Sequence, residues 1–198
     1  ADNRKFLDEH RLFCLNMISS PGSGKTTILA RTIAELKGKL EISVIEGDIQ
    51  TELDACRIRQ AGAQAVQINT YGGCHLNAEQ VADAIMKLKP PGPGLLVIEN
   101  VGNLVCPAAF ELGEHVKVIV LSTAEGDDKP AKYPGTFRKA GAVIINKIDL
   151  LDNVDFDIER VRGDVKHLNS DCRIFELSAK TGAGMNQWYD WLLENCPR

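Results

Sequence analysis

The sequence predicts an α/β fold: a mostly parallel sheet with helices on both faces. Three observations carry this. Apolar runs rich in Val, Ile and Leu recur along the 198 residues, stretches of helical period separate them, and a glycine-rich turn joins the first run to the first such stretch.

The first ten or so residues are charged with a few apolar positions and suit a short leading helix. Strands are expected over residues 13–18, 42–45, 65–68, 95–98, 116–121, 142–145 and 173–177. Several of these are almost continuously apolar, as strands covered on both faces must be. Helices are expected over 26–36, where Leu29, Ile33 and Leu36 share a face, over 78–88, where Val81, Ile85 and Leu88 do, and over 154–168. The stretch Pro90-Pro91-Gly92-Pro93-Gly94 reads as a surface connection between a helix and a strand. With no internal repeat or low-complexity tract, one P-loop domain over residues 1–198 is expected.

Composition narrows the function. Lys and Arg total 23 against 27 Asp and Glu, a net charge of −4, and hydrophobic residues make up 44%. This is ordinary globular usage. The mild acidity argues against a nucleic-acid partner or a membrane surface, both of which call for clustered cations. No run nears the roughly 20 apolar residues that cross a bilayer, and residues 1–11 hold no apolar signal core, so a cytoplasmic protein is expected. The chain does not begin with Met, which suggests processing or a fragment. Six cysteines stand at 14, 56, 74, 106, 172 and 196 with no C-x-x-C pair, so no disulfide framework is expected. Cys14, Cys56, Cys172 and Cys196 read as small apolar residues or idle thiols.

Ser19-Ser20-Pro21-Gly22-Ser23-Gly24-Lys25-Thr26 follows a strand and opens a helix. Glycines there let successive N–H groups face one anion, and the helix N-terminus adds its partial positive charge. Gly22, Ser23, Gly24, Lys25, Thr26 and Thr27 are the candidate phosphate contacts, with Lys25 on the β- and γ-phosphates and the Thr26 hydroxyl on Mg²⁺. Ser19 stands where such loops usually carry a first glycine, and Ser resists a positive φ.

Asn146-Lys147-Ile148-Asp149 follows a later strand. The Asp149 carboxylate can accept from both N1–H and the exocyclic amine of guanine, a donor pair that adenine lacks. Lys147 would lie along the base, Asn146 would brace the loop, and in Ser178-Ala179-Lys180 the Ala179 N–H would meet guanine O6. GTP is therefore expected over ATP. Glu99-Asn100-Val101-Gly102 closes the fourth strand, with Glu99 a candidate for the Mg²⁺ shell and the Gly102 N–H for the γ-phosphate. Asp48 is the best further carboxylate for the metal shell or for orienting water, and Asp54 is second. Lys25, Asp48 and Glu99 are thus the candidate catalytic residues.

Cys74 and His75 are adjacent after Gly72-Gly73, and Cys106 lies four residues past Gly102. Thiolate with imidazole suits Ni²⁺ or Zn²⁺ better than Mg²⁺. Three ligands leave a tetrahedral shell open, so water or a two-fold related subunit is expected to complete it. His10, His115 and His167 have no such neighbours and read as surface residues.

Taken together, the phosphate loop, Gly47-Asp48-Ile49-Gln50-Thr51, Cys74-His75-Leu76, the run from Glu99 to Pro107, the run from Ser122 to Pro134 and Asn146-Lys-Ile-Asp149 resemble the HypB family of GTPases, which insert nickel into [NiFe]-hydrogenase. The resemblance implies a SIMIBI-type GTPase fold, slow hydrolysis, a homodimer favoured by GTP, and metal held between subunits by Cys74, His75 and Cys106. It implies partners among hydrogenase maturation proteins and the hydrogenase precursor, and it places Lys132 near nucleotide at the dimer interface. The N-terminal cysteine motif or histidine-rich run of some family members is not in this sequence. Alternatives are a GTPase serving urease or a cobalamin enzyme, whose urease form carries a Cys-Pro-His motif where Cys74 and His75 touch directly, and a metal-binding protein with vestigial nucleotide motifs.

Overall fold

The computed structural model describes residues 2–48 and 53–197. Residues 49–51 of the Gly47 to Thr51 motif therefore lie outside the described residues. The leading helix α1 (Asp2–Glu9) enters β1 (Leu12–Ser19), and α2 (Lys25–Leu36) and β2 (Ile42–Asp48) follow. Next come α3 (Leu53–Ala61), β3 (Gln64–Asn69), α4 (Ala78–Leu88), β4 (Gly94–Gly102), the short α5 (Cys106–Ala109) and β5 (Val116–Ser122). Two short helices, α6 (Lys129–Lys132) and α7 (Pro134–Arg138), then β6 (Ala142–Asn146), α8 (Ile158–Leu168), β7 (Arg173–Glu176) and α9 (Met185–Asn195) complete the order.

The seven strands form one parallel sheet in the order β3-β2-β4-β1-β5-β6-β7. All seven strands expected from the sequence are present. Alternate residues feed the two faces: Val118 and Val120 pack toward α2 and α9 with Leu15, Val97 and Trp188, while Ile119 and Leu121 pack the other way with Phe137, Val161 and Val165. Both faces are covered, so a continuous apolar run and not an alternating one is the right strand signal. On one side of β1 lie β4, β2 and β3 and on the other β5, β6 and β7, so the chain leaves the neighbouring strands β1 and β4 in opposite directions, a reversal beyond whose carboxyl ends parallel α/β sheets hold their ligands.

The expected helix over 154–168 begins later, at Ile158. The Asp157 side chain accepts from the Arg160 N–H and caps it, while residues 148–153 form a tighter helical turn. The short α5, α6 and α7 and the longer α3 and α9 lie outside the helices expected from the sequence. Apolar residues in α3 are few, and α9 is dominated by Trp188, Tyr189 and Trp191, whose bulk obscures the period. The surface reading of His115 is corrected: its Nδ1 accepts from the Cys14 N–H at 2.9 Å and its Nε2 meets Asp8 at 3.0 Å, so it ties α1 to the sheet. All six cysteines are free thiols; Cys14, Cys172 and Cys196 are buried and Cys56 is exposed.

Candidate functional site

The loop from Ser19 to Thr26 turns at the carboxyl end of β1 into α2. Its positive φ angles fall at Gly22 (+77°) and Gly24 (+98°), and not at Ser19, which ends β1 in register with Val120. The missing first glycine therefore costs no strain. Instead the Ser19 hydroxyl accepts from Lys25 Nζ at 2.8 Å, steadying the cation across the loop. A Cβ on Gly24 would stand 2.5 Å from Asn146 Nδ2, so this position demands glycine for space as well as for φ.

Thr26 and Glu99 meet directly: the Thr26 hydroxyl donates to Glu99 Oε1 at 2.8 Å, and the second Glu99 oxygen is buried without a partner. A hydroxyl and a half-used carboxylate, both oxygen donors, fit a Mg²⁺ shell. Glu46, at the carboxyl end of β2, stands against Glu99. Burial, then the charge of Glu99 and a hydrogen bond to it, raise the Glu46 acid above the usual carboxylate range. Glu46 was missed in the sequence, although an acid ending an otherwise apolar strand was the available signal. Asp48 and Asp54 join Lys25, Thr26, Glu46 and Glu99 around one cavity of about 380 Å³. Gly102 closes its far side so tightly that a Cβ would lie 3.1 Å from Pro21. Thr27 is exposed at the mouth. A larger groove of about 770 Å³ runs along β7 beside α8 and α9, away from all of these groups.

The Asn146 to Asp149 loop is sewn to the phosphate loop. Asn146 Nδ2 donates to the Ser23 carbonyl and Lys147 Nζ to the Gly22 carbonyl, each at 2.8 Å. Asn146 Oδ1 accepts the Ala179 N–H at 3.1 Å, and Ser178 donates its hydroxyl to Asp149 Oδ1 at 2.5 Å. Lys147 adopts φ +65°, a left-handed conformation uncommon outside glycine that turns the chain sharply between β6 and Asp149. Arg31 on α2 donates to the carbonyls of Ala179 and Lys180, each at 3.2 Å, a support that nothing in the sequence signalled.

Cys74 Sγ lies 3.4 Å from His75 Nδ1, and the Cys106 thiol is near enough to act on it. That contact with the second thiol, ahead of partial burial, holds the Cys74 thiol above its usual range. The His75 ring stacks on Phe110 just beyond α5, with centroids 3.8 Å apart and planes at 12°. The two thiols and the imidazole thus share one surface, where Phe110, Val105 and Tyr71 are exposed. They do not close a ligand set by themselves: among the described residues, no group of three or more His, Cys, Asp and Glu is placed to hold an ion. Lys132, an exposed cation paired with Asp128 at 2.5 Å, lines a groove with Val105 and Ala108 beside α5.

The CobW/HypB/UreG nucleotide-binding domain family matches residues 14–176. The hydrogenase maturation factor HypB of Rhizobium leguminosarum bv. viciae is 53% identical over 192 residues, which is 97% of this chain and 64% of that protein. A probable hydrogenase maturation factor HypB of Methanocaldococcus jannaschii is 42% identical over 190 residues, 96% of this chain and 86% of that protein. Among solved structures, HypB from Helicobacter pylori in complex with nickel matches with a TM-score of 0.91 at 39% identity, covering 98% of this chain and 91% of that one. The chain spans slightly under two thirds of the length of several of the curated relatives it matches. No described helix is long and apolar enough to cross a membrane.

Proposed function

The chain belongs to the HypB family of CobW/HypB/UreG nucleotide-binding proteins, and from that membership we propose that it is a GTPase, a single P-loop domain whose nucleotide state governs nickel carried at Cys74, His75 and Cys106. One observation carries the proposal most directly. The polypeptide that leaves the phosphate site at Glu99, hydrogen-bonded to Thr26, reaches Cys106 in seven residues, and Cys106 contacts Cys74. Whatever moves this stretch on the nucleotide side is felt by the thiols.

In this reading the Ser23 to Thr26 N–H groups and Lys25 hold the β- and γ-phosphates, and their charge favours in-line attack by water as negative charge shifts onto the leaving oxygen. Thr26, Glu99 and Asp48 would hold Mg²⁺, which supplies further charge neutralisation between the phosphates. Asp149, oriented by Ser178, selects guanine. Nickel, or zinc in its place, is the cargo. A two-fold partner completes its shell in a GTP-favoured homodimer where Lys132 approaches nucleotide, and a hydrogenase precursor with its maturation partners in the cytoplasm receives the metal.

Competition binding of GTP against ATP tests the nucleotide half. The wild-type chain should prefer GTP by at least tenfold and Asp149→Asn should lose that preference, whereas equal binding of both nucleotides by the wild type rejects the assignment. Nickel stoichiometry of a Cys74→Ala, His75→Ala, Cys106→Ala triple variant tests the metal half. Retention of the wild-type stoichiometry rejects the shared site.

A further inference from the structure

We propose that the buried amide of Asn100 is the positioning residue that couples the nucleotide end of β4 to the Cys74-His75 loop. The proposal deepens the metal-carrier reading and rests on it. Asn100 sits between Glu99 and Gly102 and is 1% exposed. Its Oδ1 accepts from the Val101 N–H at 3.0 Å and from the Leu76 N–H at 3.3 Å, across 24 residues of sequence. Leu76 is the residue immediately after the candidate ligands.

The orientation of this amide is set from behind. Asn100 Nδ2 donates to Asn16 Oδ1 at 3.1 Å, Asn16 Nδ2 donates to Glu114 Oε1 at 3.0 Å, and Glu114 Oε2 accepts from the Leu112 N–H at 2.7 Å. Every donor in the chain points toward the Glu114 carboxylate, itself 3.4 Å from the Lys117 ammonium. Neither amide can flip without bringing acceptor against acceptor in the interior. Asn100 Oδ1 is therefore held toward Leu76 by a buried row anchored in β1 and in the segment that leads into β5.

The Leu76 side chain is pinned as well. It is fully buried and fills the space left by Gly47, where a Cβ would stand 2.9 Å from Leu76 Cδ1. The residue that follows the ligands is thus gripped by β4, which carries Glu99, and by β2, which carries Glu46 and Asp48. The Leu76 to Asn100 bond is the longest in the row. A shift of about 0.5 Å at the end of β4 either breaks it or draws Leu76 along, because a donor beyond about 3.5 Å no longer bonds. Nucleotide state then reaches His75 through one amide.

The experiment is a Ni²⁺ titration of the full chain loaded with GDP or with a non-hydrolysable GTP analogue, in wild type, Asn100→Ala and Asn16→Ala. In wild type the two nickel dissociation constants should differ at least fivefold, within the usual span of coupling between sites. In Asn100→Ala the ratio should fall to within twofold of one, with nickel stoichiometry retained. A role confined to stability would lower the melting temperature or weaken nickel equally in both states and leave the ratio alone. A wild-type ratio in Asn100→Ala, or no nucleotide dependence in the wild type, overturns the proposal. Should Asn100→Ala fail to fold, Asn16→Ala, which frees the amide from behind, decides by the same ratio, which should at least halve; an unchanged ratio overturns the proposal. Failure of the underlying reading looks different: the wild type binds no Ni²⁺ in either state, and the proposal falls with it.

Discussion

Gly24 shows how tightly two distant motifs constrain one atom. Its φ of +98° and the 2.5 Å clearance to Asn146 exclude any side chain, although Asn146 lies 122 residues away and belongs to the loop proposed to select the base. A left-handed backbone costs a non-glycine residue about 1–2 kcal/mol, so Gly24→Ala should weaken GTP binding by about tenfold or more, as read by fluorescent-nucleotide titration. Thiol chemistry divides the cysteines as sharply. Burial pushes the Cys172 thiol up to about 11 and that of Cys196 up to about 12, and Cys14 higher still. Raised values leave little thiolate at pH 8, and burial blocks access. Mass spectrometry after alkylation of the native protein should find Cys56 modified first, Cys74 and Cys106 next, and Cys14, Cys172 and Cys196 intact; Ni²⁺ should protect Cys74 and Cys106 while leaving Cys56 reactive.

Among the elements, α8 makes the point that a cap outranks a periodic pattern. Val154 and Ile158 are both apolar and suit a longer helix, yet Asp157 accepts from the Arg160 N–H and starts it at Ile158. Losing such a cap costs about 1 kcal/mol, so Asp157→Ala should lower the melting temperature by roughly 2–4 °C in a chain of this length, measured by calorimetry. The nucleotide site should be untouched, since Asp157 is tied through its N–H to Asp127 and not to either loop. The strands were easier to place than the helices because the five inner ones are buried on both faces and need no period to be seen. The two longer helices that the sequence does not announce have opposite faults: α3 is too polar to show a stripe, and α9 too aromatic.

For the molecule as a whole, the incomplete ligand set is the governing feature. Two thiols and an imidazole on one exposed surface, rimmed by Phe110, Val105 and Tyr71, leave both coordination and apolar area unfilled. The proposed two-fold partner would satisfy both at once. Light scattering should report a mass near 21.7 kDa with GDP and close to twice that with a non-hydrolysable GTP analogue; a mass unchanged by the analogue removes the dimeric shell from the reading.

Residues bearing chemistry within a few positions of one another were legible before any coordinates. The phosphate loop, the Asn146 to Asp149 motif and the adjacent Cys74 and His75 declare their donor atoms by type and spacing, and continuous apolar runs declare a parallel sheet. Contacts between strands far apart in the chain were not. Nothing in the order of residues says that Asn16, Asn100 and Glu114 form one row, that Glu46 stands against Glu99, or that Leu76 fills the hollow at Gly47. Such pairings exist only once the β3-β2-β4-β1-β5 order sets side chains from separate strands within 3 Å or so, and burial then makes each unpaired polar atom too costly to leave.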